Sequence, residues 1–515
     1  MKTFFTLAAI FVFSVFSHAQ TSLIWQKCYG GTNGEYANDI IPAVGGGFII
    51  VGYTDSNNGD VSGNHGEDDF LVIKTDDSGN IIWQKCFGGT ANDEAEAVVA
   101  APGGGYVITG YTYSNDGDVS GNHDDYSTDI WVIKIDESGT LLWQKCFGGS
   151  YDETGADIDV SSDGSYYISG RSYSNDGDIT DPKGEADYFL VKTDASGNKT
   201  WAHCYGGSLY DESYAVDATS DNGAILCGRS GSVDSDVSGN HGNEDSWVVK
   251  VSSAGAIEWQ KSFGGSEDEE ANDIHQTSDG GYAMLGYTDS NNGDITSIHS
   301  AENDYWFVKM TSTGSITWQK CYGGTADDQA ETFCTTSDGG YLLAGLTTSN
   351  DGDVTGTHGS FYPIDIWVLK INATGTIQWQ RACGGTDQDE AHSVIETSGG
   401  AAVVCGFTYS IDGDVTGNHG NKDAWVLKVS GTTGISENEF SEINIYPNPA
   451  VNELIIETQI NSLINIRDIT GKIIFSEQIS SNSNKIDVTG INPGLYTIEI
   501  ITEKGKRISR FIKAD

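Results

Sequence analysis

The chain has 515 residues, and 74 Asp and Glu against 27 Lys and Arg give it a formal net charge of −47. Nucleic acids and anionic membranes bind surfaces of the opposite sign, so this charge excludes both as generic partners. Self-repulsion of this size is typical of a soluble extracellular protein, and we expect a monomer. No later stretch reaches 18 apolar residues, which predicts that the mature chain has no transmembrane helix.

Residues 1–19 have the composition of a secretory signal peptide. A basic Lys2 precedes an apolar run from Phe4 to Phe16, and the small residues Ser17 and Ala19 follow. This order predicts cleavage before Gln20 and export from the cytoplasm.

The next segment is built from one unit repeated seven times. In each copy a Trp is followed five residues later by Gly-Gly, and successive Trp residues are 58, 60, 58, 58, 59 and 61 positions apart. Each repeat contains four short runs rich in Val, Ile, Tyr, Phe and Trp, bounded by Gly, Asn, Asp or Ser, which is a strand pattern. Seven units of four strands predict an all-β fold, a seven-bladed β-propeller of 58–61-residue repeats over residues 20–431.

The two ends of the repeat region support closure of the ring. A lone strand at Leu23–Lys27 precedes the first full repeat, and three unpartnered strands ending at Ala424–Lys428 follow the last. Pairing them completes one blade and removes an open sheet edge. The alternative is an open solenoid, which would not need this split blade.

The loop lengths assign a working face. We name the strands of a blade A to D, from the channel outward, with the repeat Trp on strand D. The D–A and B–C connections are long and polar, whereas the A–B and C–D turns are tight. Function lies more often on long loops, so we predict that the D–A/B–C face does the work.

Acids stand where strand A enters the channel, and they are our candidates for a binding face: Glu35, Glu94, Glu153, Glu212, Glu270, Asp328 and Glu390. Such a ring could bind a ligand or supply the paired carboxyls of a glycosidase. The alternative is a solvated acidic rim.

The B–C loops repeat a Ser-Asn-Asp-Gly-Asp pattern with many oxygen ligands, which suits Ca²⁺, the one cofactor that we consider. The candidate ligands are Asp55, Asn57, Asp60, Asp116, Asp118, Asp176, Asp178, Asp236, Asp294, Asp351, Asp353, Asp412 and Asp414. However, calcium loops have the order Asp-Gly where Gly-Asp dominates here, and no bidentate Glu follows at a fixed offset. The alternative, which we favour, is a loop held by its own Asx turns.

A second set of acids begins strand C, always five residues before a Lys: Asp69, Asp129, Asp187, Asp245, Asp304, Asp365 and Asp423. Because catalysis needs an asymmetric arrangement, sevenfold identity predicts a structural hydrogen bond that fixes the B–C loop onto strand C. A His precedes this Asp in six loops, and one His per blade is too dispersed for zinc. The nine cysteines predict buried thiols, with Cys383 and Cys405 the one pair worth testing as a disulfide.

The composition changes near residue 436. Residues 432–442 read as a linker, and residues 443–515 carry equal numbers of acids and bases in a pattern of short strands that predicts a small β-sandwich. The motif residues of this segment are Tyr446, Pro447, Asn448, Pro449, Gly471, Lys472, Gly494, Tyr496 and Lys513.

With these motifs, residues 443–515 resemble the type A C-terminal sorting domain of the type IX secretion system of Bacteroidetes. The repeats resemble those of secreted flavobacterial propeller proteins. The resemblance implies that the type IX machinery is a partner, and that the protein crosses the outer membrane to be released or attached to the surface. An ordinary accessory sandwich is the alternative.

We predict a secreted or cell-surface binding or adhesion propeller without catalysis, which holds a glycan or a protein on its acidic D–A/B–C face. One alternative is a polysaccharide-degrading enzyme with carboxylates at the channel mouth, and another is a structural surface-layer element. No nucleophile elbow, phosphate loop or dinucleotide motif is present. Repeats three and four depart from the pattern at Arg171 and Arg229, so a special site would lie there first.

Overall fold

The structure, a computed structural model, describes residues 21–124, 126–359, 364–430, 444–446, 448–457, 462–468, 472–479, 483–502 and 505–514. The predicted signal peptide and the predicted linker lie outside these residues. The chain divides into two compact units, one before and one after the linker region.

Among the described residues of the first unit, all regular elements are strands. In chain order they are β1 (Leu23–Tyr29), β2 (Glu35–Pro42), β3 (Phe48–Thr54), β4 (Asp69–Thr75), β5 (Ile81–Phe87), β6 (Asp93–Ala100), β7 (Tyr106–Thr112), β8 (Asp129–Ile135), β9 (Leu141–Phe147), β10 (Glu153–Val160), β11 (Tyr166–Ser172), β12 (Asp187–Thr193), β13 (Lys199–Tyr205), β14 (Asp211–Ala218), β15 (Ala224–Ser230), β16 (Asp245–Val251), β17 (Ile257–Phe263), β18 (Glu269–Gln276), β19 (Tyr282–Thr288), β20 (Asp304–Met310), β21 (Ile316–Tyr322), β22 (Asp328–Thr335), β23 (Tyr341–Thr347), β24 (Asp365–Ile371), β25 (Ile377–Cys383), β26 (Asp389–Glu396), β27 (Ala402–Thr408) and β28 (Asp423–Val429).

These strands form seven four-stranded antiparallel sheets, as predicted. Blades 1 to 6 each use four consecutive strands, from β2–β5 to β22–β25. Blade 7 has the order β26-β27-β28-β1, in which the first strand of the unit pairs with the last. The split blade and the closed ring are therefore confirmed.

Apolar side chains fill the space between adjacent blades. Strands B and C are almost wholly buried, and each core cluster combines residues of two neighbouring sheets. Phe70 of blade 1 lies against Trp131 of blade 2 with ring centroids 4.5 Å apart. Tyr305 and Trp367 make the same contact at 4.7 Å between blades 5 and 6. Aromatic burial between sheets therefore supplies much of the packing that holds the ring together.

The Trp residues of strand C are buried with their indole N–H groups satisfied. In five blades the Gln that follows the repeat Trp on strand D accepts this hydrogen bond. The distance is 3.0 Å from Trp131 Nε1 to Gln144 Oε1, and 2.8 Å from Trp425 Nε1 to Gln26 Oε1. The second bond spans the closure of the ring, so the Trp-Gln dipeptide pairs strands C and D as well as marking the repeat.

All nine cysteines are free thiols, most of them buried. Cys383 and Cys405 are not joined, so the disulfide considered from the sequence is absent from the structure.

The second unit contains two small sheets. Its strands are β29 (Asn444–Tyr446), β30 (Glu453–Glu457), β31 (Ser462–Arg467), β32 (Ile473–Ile479), β33 (Ser483–Asp487), β34 (Gly494–Thr502) and β35 (Gly505–Lys513). The sheet orders are β29-β30-β33 and β32-β31-β34-β35, and a common apolar cluster joins them. This agrees with the predicted small sandwich.

Candidate binding face of the propeller

The D–A and B–C loops are hydrogen-bonded to one another at every blade. A Ser at a fixed place in the B–C loop accepts the backbone N–H of a D–A loop residue, for example Tyr151 N to Ser174 Oγ at 2.8 Å and Glu267 N to Ser290 Oγ at 2.9 Å. The backbone N–H of the second loop acid donates to the first Gly of Gly-Gly, as in Asp118 N to Gly88 O at 2.9 Å. The two loops of each blade thus form one preorganised unit.

The first residue of strand A is a buried acid in all seven blades: Glu35, Asp93, Glu153, Asp211, Glu269, Asp328 and Asp389. Asp328 shows the arrangement. Its Oδ2 accepts from Gly324 N at 2.8 Å and from Ser349 Oγ at 2.8 Å, and its Oδ1 accepts from the Thr347 hydroxyl. Burial raises the pKa of Asp328 to about 6. These acids fasten the Gly-Gly turn and strand B to strand A.

Three of the predicted binding residues, Glu35, Glu153 and Asp328, belong to this buried set. Each is fully buried, so none of the three is exposed at the channel mouth, where the sequence placed the candidate binding acids. The reason is register, because successive side chains of a strand point to opposite sides and the acid that opens strand A points between sheets.

The other four, Glu94, Glu212, Glu270 and Glu390, occupy the next position, at the channel mouth. Tyr36, Thr154 and Gln329 take this position in the remaining blades. The mouth is therefore only partly acidic, and two arginines lie beside it. Arg171 pairs with Glu212, and Arg229 reaches Glu212, Glu244 and Glu270 at 3.1, 3.1 and 2.8 Å.

A central cavity of about 810 Å³ is lined by strand A of each blade. Glu96 and Glu331 face this cavity, and the amides of Asn38 and Asn272 lie 2.9 and 3.5 Å from their carboxyl groups. Burial raises the pKa of both Glu96 and Glu331 to about 8. These two acids were not singled out from the sequence.

Both lie at a β-bulge of strand A, where the register shifts between Ala95 and Ala97 and between Ala330 and Thr332. A bulge inserts an extra residue and turns its side chain, so the simple alternation of a strand does not predict which acid faces the channel.

Other channel acids link neighbouring blades. Asp39 Oδ2 accepts from Val98 N at 2.9 Å, and Asp157 Oδ2 accepts from Val216 N at 2.8 Å. Each bond runs from strand A of one blade to strand A of the next. These channel carboxylates therefore stabilise the contact between neighbouring blades.

The Asp that opens strand C accepts two hydrogen bonds from the preceding loop. Asp69 Oδ2 lies 2.9 Å from the backbone N and 2.6 Å from the ring Nδ1 of His65, and five further blades repeat this pair. In blade 3 the backbone N of Lys183 donates to Asp187 at 2.6 Å. The arrangement is the kind of loop anchor that the sevenfold pattern suggests.

The predicted calcium residues at the first loop positions accept hydrogen bonds from the same two loops, whereas Asp178 and Asp414 pair with Lys199 and Arg381 of strand D. Asp55 Oδ1 accepts from Gly34 N at 2.7 Å, and Asn57 Oδ1 from Gly63 N at 3.0 Å. The first loop acids (Asp116, Asp176, Asp351 and Asp412) accept D–A loop amides at 2.8 Å. The second loop acids are Asp60, Asp118, Asp178, Asp236, Asp294, Asp353 and Asp414, and all seven donate their backbone N–H to the Gly-Gly carbonyl.

The Gly before the second acid explains the Gly-Asp order. Gly117 has φ of 61°, a left-handed conformation that glycine adopts without steric cost, and the turn needs it at this place. Across the described ranges, no three His, Cys, Asp or Glu side chains converge as metal ligands. Calcium binding therefore stays a prediction to be tested by experiment.

In the second unit, the two ends of the sorting motif meet. Asn448 Oδ1 accepts from Ile512 N at 2.9 Å, and Lys513 is buried. Tyr496 stacks on Phe511 with centroids 5.6 Å apart. Tyr446 is exposed, Gly494 opens β34, and Lys472 N donates to Asp468. Pro449 follows Asn448, whereas Pro447 and Gly471 lie outside the described residues.

The family described as "Secretion system C-terminal sorting domain" matches residues 444–514. The second unit is a type IX secretion sorting domain. The protein is thus exported across the outer membrane to the cell surface, and its sorting domain engages the secretion machinery. Within the described residues, no helix is long and apolar enough to span a membrane.

Comparisons of the whole chain find a distant relative. Regulatory protein FlaEY of Caulobacter vibrioides is 26% identical over 403 residues, which cover 69% of this chain and 41% of that protein. This chain therefore spans about two fifths of its relative's length.

Two solved structures are similar in fold. One is PorZ, a surface component of the type-IX secretion system of Porphyromonas gingivalis (TM-score 0.42, 12% identity, 94% of this chain and 60% of that chain). The other is puromycin hydrolase (TM-score 0.44, 12% identity, 82% and 58%). Likenesses this distant carry no information about ligand or activity.

Proposed function

We propose that this protein is a non-catalytic binding or adhesion propeller that holds a glycan or a partner protein on its D–A/B–C face. One observation carries the proposal. The loops of this face are hydrogen-bonded to each other in every blade, while the side chains at their tips differ from blade to blade. Fixed backbones with variable tips reduce the entropy lost on binding and are a common basis of recognition.

The fate of the acids also supports a binding role. The first acid of every strand A accepts structural hydrogen bonds, as Asp328 does. The acid of every strand C accepts them at Oδ2, while its buried Oδ1 has no hydrogen-bond partner among the described residues. Neither set leaves one carboxyl distinct from its six equivalents, as an acid–base pair would require.

The test is retention of the purified full chain on insoluble and immobilised polysaccharides and on cell-surface extracts, with and without a calcium chelator. An unrelated acidic protein controls for charge. We expect retention on at least one surface. If nothing retains the full chain more than the control, the proposed function is wrong.

A second candidate function rests on Glu96 and Glu331. Two carboxyl groups protonated near neutral pH inside a channel could serve as general acids on a polysaccharide chain. Under this alternative, purified protein releases reducing sugar, and Glu96→Gln or Glu331→Gln abolishes the release. Turnover that survives both changes would contradict it.

A further inference from the structure

Two tip positions recur in every blade, and in blades 2 to 4 they include four large, exposed side chains. The first follows strand B: Asp55, Tyr113, Tyr173, Gly231, Asp289, Thr348 and Tyr409. The second lies two residues after Gly-Gly: Asn33, Ala91, Tyr151, Leu209, Glu267, Ala326 and Asp387. In blades 2 to 4, Tyr113, Tyr151, Tyr173 and Leu209 are 38%, 57%, 38% and 47% exposed. We call these four residues the aromatic tips, after the three tyrosines among them. Large exposed apolar side chains grouped together mark interaction sites.

The backbone of each aromatic tip is fixed by the neighbouring loop. Tyr151 N and Leu209 N donate to serine hydroxyls at 2.8 and 3.0 Å, and Tyr113 N and Tyr173 N donate to D–A loop carbonyls at 2.9 and 3.1 Å. Tyrosine also has few rotatable bonds, so these side chains lose little entropy when a ligand orders them.

Two arginines lie beside the aromatic tips, and their charge is already balanced. The Arg171 guanidinium is 5.6 Å from the Tyr173 ring centroid, and its Nη1 donates to Tyr210 Oη at 2.8 Å. The Arg229 guanidinium is 5.3 Å from the Tyr210 ring. As described above, the two arginines pair with Glu212 and Glu270 at the mouth and with Glu244 of the B–C loop.

This charge balance selects the class of ligand. An anionic chain would meet three carboxylates and a net charge of −47. A basic partner would favour the acidic tips elsewhere on the ring, at Glu267, Asp289 and Asp387. The aromatic tips therefore suit an uncharged ligand that has apolar faces for the rings and hydroxyl groups for the surrounding polar atoms.

We propose that the aromatic tips of blades 2 to 4 form the binding site of a neutral polysaccharide, whose sugar rings stack on the tyrosines. This inference rests on the proposed function and deepens it. Because the tips lie on three adjacent blades, a chain of several sugars would cross them in succession, and each contact would add to the affinity.

The experiment uses affinity electrophoresis of the full chain in gels that contain neutral polysaccharides (a mannan, a xylan or a β-glucan). A parallel gel contains an anionic polysaccharide. The test variant combines Tyr113→Ala, Tyr151→Ala and Tyr173→Ala, and the same three positions changed to Phe keep the rings. The matched control changes the equivalent tips of blade 5, with Glu267→Ala and Asp289→Ala.

We expect a neutral polysaccharide to retard the wild type, the Phe variant and the control. The Ala variant should bind at least about tenfold more weakly. Equal binding by the Ala variant, stronger binding of the anionic polysaccharide, or no binding of neutral polysaccharide would overturn the inference. The Phe variant shows whether the rings alone support binding, and the melting temperature of the Ala variant shows whether that variant is folded. Retention on cell-surface protein in any of these cases would leave the proposed function intact.

Discussion

Removing one buried acid of strand A should destabilise the propeller by an amount that depends on pH. Asp328→Ala leaves the buried Gly324 N–H without its acceptor, which costs about 1–3 kcal/mol. Two hydroxyl groups lose the same acceptor and turn to weaker ones, which adds about 1 kcal/mol. The expected loss near pH 5 is therefore about 2–4 kcal/mol.

The dependence on pH follows from the raised pKa of Asp328. Its value is about 6 in the folded chain against an ordinary 3.8, so the folded state binds the proton more tightly. Wild-type stability from this group therefore declines as the pH rises from 3.8 through 6, by about 3 kcal/mol in all. About 1.5 kcal/mol of that decline falls between pH 5 and pH 8. The alanine variant has no titrating group at this position, so its stability does not decline for this reason. The loss caused by the substitution should narrow by this amount at pH 8.

The assay is denaturant unfolding followed by Trp fluorescence at pH 5 and pH 8. The matched control is Glu302→Ala, which removes the same charge from an exposed position on the B–C loop of blade 5. A loss no larger than that of the control, or a loss that grows with pH, would refute the reasoning.

Three further results are expected. Gln144→Ala removes the acceptor of the buried Trp131 indole and should lower the free energy of unfolding by about 1–2 kcal/mol. Gln84→Ala, in a blade that has no strand C Trp, should lower it very little. Equal losses in thermal unfolding would contradict this role of the glutamine. The free energy of unfolding should fall between pH 5 and pH 8, since burial raises the pKa of Glu96 and Glu331 to about 8 and the folded chain binds the extra protons; a rise over this range would be inconsistent with it. A chelator should leave the melting temperature unchanged, because loop amides already donate to the carboxylates of the first loop acids. Stabilisation by several degrees in millimolar Ca²⁺ would contradict this expectation.

The blades and the closed ring follow from the sequence because the repeat fixes its own alignment. The Trp-to-Gly-Gly unit occurs seven times, and this recurrence defines the strand boundaries. The lone first strand can pair only with the three strands that end the last repeat. The positions of the acids are harder to predict. Asp93 and Glu94 are adjacent and alike in charge, yet one is buried between sheets and the other faces the mouth.

The channel acids were missed for a related reason. Glu96 faces the cavity because strand A carries a bulge, and a bulge depends on pairing with strand B as well as on the local sequence. Likewise, the Trp-Gln bond joins residues 13 positions apart on paired strands, and only the register brings them together. The Gly-Asp order reflects a turn that needs a left-handed glycine, and calcium binding by these loops stays a prediction.

The central claim is that the D–A/B–C face binds the ligand. It is tested most directly by hydrogen exchange of the full chain, measured with and without the surface or polysaccharide that retains it. The account predicts slower exchange at the D–A and B–C loops and no change at the A–B and C–D turns. Protection confined to those turns, or to the sorting domain, would contradict it.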